Sequence, residues 1–403
     1  MRRLALAGSA GEVCLMEACR TLSYRPRTSE AEGWVEDLLE LTFEGQSPAS
    51  LAAQQALLEA LLAAEDTELR LQAAEGEPEW RSKLAGGCLE QTSPPGARAR
   101  GLLGLRLRLQ RADAWLGPAA ELPLAGVSGG VEVTSGMSLS AGTAGGELPP
   151  ALRLEMSNPN TDPLQDAGRV WVSTGSSPAV LLEAETASGG TLLSDLRASG
   201  GAYRRVNLPA GEEPLLTWAL DGSLQGVFRA LLLGTGFGLP LMGARSLRLQ
   251  RRESDGSYDA LAWQGGPSAP SALAWLDLGR LVLPPFRPGS LVLLGQQGAG
   301  SQADVDGLLL LPAASLRIYE PLAVQGAVGN GWTLVDDGIG GGLWKSAPGG
   351  GLYGGYRALG GPLSLPPASA QQMAFFFDDA AGSPQTGMHL RVRLWAAPRV
   401  RMP

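Results

Sequence analysis

GLRLRLQRADAWLGP, residues 104–118, decides how the chain is read. Leucine alternates with arginine, which suits either a basic strip against nucleic acid or a half-buried strand. Leu105, Leu107 and Leu109 share one face, and Arg106, Arg108 and Gln110 share the other; a period of two is that of a β-strand. The pattern returns as SLRLQRR (246–252) and HLRVRLW (389–395). The chain has 403 residues and a formal net charge of −8, whereas nucleic-acid binding needs a positive surface against phosphate. The arginines are therefore expected to wet the outer face of a sheet or to meet carboxylates, in this chain or in a neighbouring copy. VEDLLE (35–40) and LELTFEG (39–45) supply such carboxylates.

Working outward, the composition calls for many short strands. The 56 glycines and 29 prolines make turns frequent, and a hydrophobic share of 44% against 18% charged is a globular balance. In residues 1–125, LELTFEGQ (39–46) alternates like a strand. SPASLAAQQALLEALLAA (47–64) is the clearest helix, with Ser47 as cap, Pro48 in the first turn and Leu51, Leu58, Leu61 and Leu62 as its apolar stripe. TELRLQAA (67–74) reads as a strand, and EWRSKLAGGCLEQ (79–91) as another, broken at Gly86–Gly87. Residues 126–147 are rich in Gly, Ser and Thr and read as a linker. From 148 to 315 nine apolar runs bounded by turn residues suggest a jelly-roll β-sandwich. Residues 316–403 hold four more strand candidates and a glycine-rich segment, 338–361, expected to be a loop or an interface. The fold class expected is mainly β: an α+β domain, a jelly-roll sandwich and a C-terminal β-rich extension.

Chemistry is sparse. Cys14, Cys19 and Cys88 form no disulfide or zinc pattern and read as buried free thiols. The single histidine, His389, lies at a strand start without an acid or nucleophile beside it in sequence, and a surface or interface role outweighs catalysis. GTGFGLPLMG (234–243) and GIGGGLWKS (338–346) lack the spacing of a phosphate loop. DVDG (304–307) and VDDG (335–338) could give oxygens to calcium, although EF-hand spacing is absent and a polar strand entry explains DVDG more simply. No other cofactor is implied. Among the ten tryptophans, Trp171 and Trp218 sit in alternating strands that favour core packing, and Trp263 is the candidate for stacking on a sugar. The N-terminal apolar run is too short for a signal peptide, and no segment has the length of a membrane span.

The order of elements in the first 125 residues carries a resemblance. A strand (LELTFEGQ), a helix (PASLAAQQALLEALLAA), a strand (TELRLQ), a short segment (WRSKLAGGCLEQ) and a long alternating strand ending in an aromatic (GLLGLRLRLQRADAWLGP) resemble the N-terminal belt domain of bacteriophage distal tail proteins. The family often follows this domain with a β-sandwich related to carbohydrate-binding modules, as residues 148–315 would supply. The region after 316 has no counterpart in that layout, and the helix is longer and richer in alanine. The resemblance implies a non-catalytic virion protein at the tail tip, made in the host cytoplasm and assembled as a homo-oligomeric ring, a hexamer, that joins the tail tube to hub, fibres and tape-measure protein. Candidate subunit-interface residues are then Arg106, Arg108, Trp344, Tyr353 and Tyr356. Two other readings stand beside it. One is a carbohydrate-binding tail-tip or decoration protein that touches a host-surface glycan. The other is a glycan-active enzyme, which would need paired carboxylates across a cleft.

Overall fold

The computed structural model describes residues 3–27, 34–74, 76–94, 96–195, 198–236, 246–253, 258–259, 274–284, 288–296, 301–322, 326–367, 371–379 and 387–401. The fold is mainly β, as expected, with several antiparallel sheets and one long helix. Two compact units divide the chain. The first holds Met1–Ala120, Ala144–Ala151 and Ala397–Pro403, and the second holds Glu121–Thr143 and Leu152–Ala396.

In the first unit β1 (Arg3–Gly8) and β2 (Gly11–Cys14) form a hairpin, followed by a single helical turn, α1 (Leu15–Ala18). Next come β3 (Cys19–Arg27), β4 (Trp34–Glu44), helix α2 (Pro48–Ala63), β5 (Glu68–Gln72), β6 (Trp80–Gln91), β7 (Leu102–Ala112) and the short β8 (Trp115–Leu116). Helix α2 begins where the sequence places it. The Ser47 hydroxyl accepts from Ser50 N–H at 3.2 Å, the Ser50 hydroxyl accepts from Ser47 N–H at 3.3 Å, and Pro48 occupies the first turn. Leu51, Leu58 and Leu61 are fully buried, and Leu62 packs against the same core.

Strand β6 is not broken at Gly86–Gly87. It runs from Trp80 to Gln91, pairs with β5 over its first residues and with β7 over its last, and carries a bulge between Leu84 and Gly86. The bulge turns one strand from one partner sheet to another. The glycine is required beside it: a Cβ at Gly87 would stand 2.8 Å from Leu62 Cδ2 and 3.0 Å from the Arg108 carbonyl oxygen. The opening stretch is a strand with one face inside. β7 pairs with β4 along its whole length, from Trp34 opposite Ala112 to Glu44 opposite Leu102. Leu103, Leu105, Leu107 and Leu109 are fully buried with Leu39, Leu41, Phe43 and Trp115.

The second unit contains two sandwiches, one within the other. The outer one, here the carrier, starts with β9 (Ala120–Glu121), β10 (Val131–Thr134), β11 (Ser138–Ala141), β12 (Leu148–Ser157) and β13 (Ala167–Gly175). The chain then builds the insert from β14 (Val180–Glu183), β15 (Thr191–Ser194), β16 (Ala202–Leu208), β17 (Glu213–Leu220), β18 (Gly226–Thr235), β19 (Ser246–Glu253), β20 (Tyr258–Asp259), β21 (Ala274–Leu283), β22 (Gly289–Gln296) and β23 (Ser301–Pro312). It returns to the carrier through β24 (Ser315–Pro321), β25 (Thr333–Asp337), β26 (Leu343–Ser346), β27 (Leu352–Tyr353), β28 (Tyr356–Leu359), β29 (Gln371–Asp379) and β30 (His389–Val400). β24 pairs antiparallel with β13, Thr174 opposite Ser315, and the two hydroxyls lie 2.7 Å apart. The insert thus takes the place of a hairpin turn.

One carrier sheet has the order β11–β29–β13–β24–β28, and the facing strands include β30, β12, β25, β26 and β27. Tyr319 of β24 donates to Asp336 of β25 at 2.7 Å, across the two layers. The insert stacks a six-stranded sheet, with the path β15–β16–β23–β18–β21 and β14 added on β23, over a four-stranded sheet, β17–β22–β19–β20. Trp218, Phe228, Leu232, Leu291, Leu293, Leu308 and Leu310 fill the space between them.

This arrangement redistributes the segments expected from sequence. All nine runs between 148 and 315 form strands, but β12 and β13 belong to the carrier. The stretch 126–147, expected as a linker, carries β10 and β11, and β11 pairs with β29. Residues 316–403, expected as an extension, supply carrier strands that pair with those of 148–175. The glycine-rich segment 338–361 contains β26, β27 and β28.

Candidate interaction surface

The outward face of β3, β4, β7 and β6 is where the opening arginines lie. Antiparallel register puts Glu40 of β4 and Glu90 of β6 on either side of Arg106. The guanidinium reaches Glu40 at 3.1 Å and Glu90 at 3.6 Å. Arg108 stands in register with Leu38 and Cys88, is exposed, and has no ion pair among the described residues. The two echoes behave alike: Arg248 meets Glu212 at 3.0 Å, and Arg393 meets Glu121 at 3.3 Å while lying over the Trp395 ring. Alternation thus turns Arg106, Arg248 and Arg393 away from the leucine face, and strand register supplies acids from the same chain; Arg251, expected outside in the second run, instead falls on the leucine face, where it is buried and meets Glu253 at 2.8 Å. The acidic segment of β4 is visible in the sequence as a partner, whereas the pairing of Glu90 depends on the β6 bulge and has no local signal.

Beneath this face lies a polar link that sequence did not reveal. Asp37 of β4 accepts from Arg111 Nε of β7 at 2.6 Å and from the Tyr24 hydroxyl of β3 at 3.0 Å. Asp37 and Arg111 are buried, and Arg111 stacks 4.8 Å from the Trp115 ring centroid. Burial pushes the Asp37 carboxyl up, and the Arg111 charge pulls it back without cancelling that effect. The link ties three strands, and each member leaves a buried charge or donor exposed to an apolar core if removed.

The remaining candidates separate. Tyr356 is buried, and its hydroxyl donates to the Ala167 and Gly168 carbonyls at 3.0 and 2.8 Å, so it holds β28 to β13 inside its own chain. Tyr353 is half-exposed on β27 and tilts against Trp332, with centroids 5.3 Å apart. Trp344 is half-buried on β26. Its neighbour Lys345 is buried, donates to the Gly326 and Ala327 carbonyls and lies 5.0 Å from the Trp332 centroid. Burial pushes the Lys345 ammonium down, against the pull of Asp166. Trp263 lies outside the described residues. Trp171 and Trp218 are buried as expected, and Trp218 Nε1 donates to the Glu183 carbonyl at 3.0 Å.

The carboxylates considered for calcium also separate. Asp304 forms a two-point pair with Arg205, Asp336 binds Tyr319 and Arg317, and Asp337 accepts from the Ile339 and Gly340 N–H groups in the β25–β26 turn. Asp306 is buried beside Glu183 and Glu185, and burial followed by these neighbouring charges pushes its carboxyl up to about 6. Among the described residues no three His, Cys, Asp or Glu side chains converge at metal-ligand distance. His389 is half-buried; its ring nitrogen lies 3.2 Å from the Gly387 carbonyl, and its backbone exchanges bonds with Asn160. Cys14 and Cys19 are half-buried, and burial pushes the Cys19 thiol up to about 12. Cys88, expected inside, is exposed because the bulge directs it to the outer face. No described helix is long and apolar enough to cross a membrane.

No protein-family model and no curated protein matches the chain. Among solved structures, the SPP1 phage Dit protein (gp 19.1) aligns at a TM-score of 0.25 and 10% identity, covering 77% of this chain and 98% of that one. A chain of the phage P2 baseplate in its activated conformation aligns at 0.21 and 11% identity, over 78% and 99%. A chain of infectious bursal disease virus aligns at 0.20 and 10% identity, over 70% and 81%. Likenesses at this level do not establish a shared fold with any of the three.

Proposed function

We propose that the chain is a structural protein of a long-tailed bacteriophage, without catalytic activity, that forms a homo-oligomeric ring at the distal tail tip. The reading rests on one observation: the strand–helix–strand order that resembles a tail belt domain closes a single core in the first unit, with β4, α2, β5, β6 and β7 all contributing to it. The outward face of that unit carries alternating charges, Arg106 between Glu40 and Glu90, which suits contact with copies of itself and with tube, hub, fibre and tape-measure proteins. The ring is a hexamer on this reading, and the protein resides in the virion.

Negative-stain microscopy and light scattering on purified protein test the proposal. Closed rings, alone or with tail-tube protein, are expected. A stable monomer under both conditions sinks it. A second reading, binding of a host-surface glycan, draws on the half-exposed Tyr353 against Trp332, an aromatic pair able to stack on sugar rings. Glycan-array binding that is lost in Trp263→Ala or Tyr353→Ala would favour it.

A further inference from the structure

The first unit carries an apolar cavity that its own side chains leave unfilled. The last turn of α2, the bulged part of β6 and the first residue of β4 bound a space of about 370 Å³, within the roughly 300–1,000 Å³ of ligand-holding pockets. Trp34, Leu61, Leu62 and Leu84 form its apolar walls, and Lys83 and Glu65 are its charged residues. Lys83 is exposed and makes no ion pair among the described residues. The nearby acids are engaged: both Asp66 oxygens accept from Ser9 at 2.9 Å, and Glu68, opposite Lys83 in the ladder, turns to Arg70 at 3.7 Å.

The same unit presents one apolar side chain without a cover. The single turn α1 buries Leu15 and directs Met16 and Glu17 outward. Among the described residues of this unit Met16, at 40% exposure, is the only large hydrophobic side chain left exposed. Glu17 is exposed and has no ion pair among the described residues. Arg20 shares only an exposed pair with Glu44 at 3.5 Å, which water screens and another acid can replace. The projection thus sets an acid and a base beside an apolar tip, and the cavity sets a base and an acid beside apolar walls. Methionine is unbranched and adapts to irregular gaps.

Met16 cannot fill the cavity of its own copy. Cys19, directly after α1, lies opposite Phe43, whereas the cavity begins at Trp34, the other end of β4. At about 3.3 Å per strand residue the two sites stand roughly 30 Å apart. A contact between two different patches of identical chains is head-to-tail, and it closes into a ring or runs on as a filament. We propose that the Met16–Glu17 projection of one copy docks in the Trp34–Leu62–Leu84 cavity of the next, with Glu17 meeting Lys83. The contact rests on the ring reading and specifies which surfaces meet.

Carbodiimide, which joins a carboxylate to an amine in contact with it, tests the pair on assembled full-length protein. The chain has only two lysines, Lys83 and Lys345, and Lys345 is buried. In a mixture of isotope-labelled and unlabelled copies, peptides linking Glu17 to Lys83 are expected to carry both labels. Met16→Asp and Lys83→Glu, both at exposed positions, are each expected to weaken assembly by roughly tenfold or more in light scattering. Glu17→Lys is expected to recover assembly in the Lys83→Glu background. Rings that form in both single variants as they do in wild type overturn this contact and leave the ring reading standing. Protein that stays monomeric at every concentration, alone and with tail-tube protein, overturns both.

Discussion

The carrier and the insert are built from the same kind of strand but connected in opposite ways. The insert is one continuous segment: β14 to β23 follow in order, and their leucines fill a single core. The carrier is split. Its β11 and β13 must wait for β29, and β13 must wait for β24, on the far side of the insert. The difference teaches that a run of strands with uniform chemistry can belong to two bodies, and that the boundary is set by pairing. The two bodies are not loosely tethered. Trp171 and Phe376 on the carrier sheet meet Leu231, Leu309 and Leu311 of the insert, and Trp275 stacks edge-on to Phe376 at 4.8 Å.

The sharpest way to break the comparison is to damage the insert alone. Phe228 is fully buried between the insert sheets. Phe228→Ala is expected to cost about 3–5 kcal/mol. Hydrogen exchange should rise throughout β14–β23 and stay low in β12, β25 and β30. Equal loss of protection in both bodies would show that they unfold as one.

The converse variant acts on the carrier. The Tyr319 hydroxyl is buried and donates to Asp336, which Arg317 also holds. Tyr319→Phe removes a hydrogen bond to a charged acceptor, at about 1.5–3 kcal/mol. Exchange should rise in β12 and β13 together with β24 and β25, although the chain separates them widely. Loosening confined to β24 and β25 would contradict the split assembly.

Legibility followed the range of the interaction. Period-two strands such as LRLRLQR and the capped start of α2 depend on neighbours within a few residues, and the sequence displays them directly. The short strands β15 and β16 escaped notice because arginines interrupt AYRRVNL, and those arginines are aimed at the acid Asp304 and at carbonyls met only in the fold. The placement of β12 and β13 in the carrier depends on partners beyond the insert, so no local pattern marks it. The surface arginines were legible as outward-facing. Their partners were not, since Glu90 reaches Arg106 only through the register that the β6 bulge sets.

Asp306 sets a smaller effect that is also confined to the insert. Burial, followed by the charges of Glu183, Glu185 and Asp195, pushes its folded-state carboxyl up to about 6 from an ordinary value of 3.8. A raised carboxyl means that the folded chain holds the proton more tightly. Below about pH 4 both folded and unfolded chains carry it, and the contribution vanishes. Between pH 4 and 6 stability falls as pH rises. Above 6 the full cost, on the order of 2 kcal/mol, is present. Asp306→Asn should therefore stabilise the insert at pH 7 and flatten its pH profile, as followed by thermal unfolding. An unchanged profile would show that the carboxyl is not held in this environment.

The smallest expected effect concerns the first unit and returns to the alternating strand. Arg106 lies between Glu40 and Glu90 with about a third of its side chain exposed, so water and salt screen the pairs. A double-mutant cycle of Arg106→Ala with Glu40→Ala should give a coupling of about 0.2–1 kcal/mol that shrinks in high salt. Arg108 differs in having no ion pair among the described residues, so Arg108→Glu should leave monomer stability within about 0.5 kcal/mol. Its charge remains available to a neighbour. On the ring reading, Arg108→Glu weakens assembly while Arg106→Ala has little effect, because Arg106 is already satisfied within the chain. Identical assembly in both variants, measured by light scattering, would place the subunit contact away from this face.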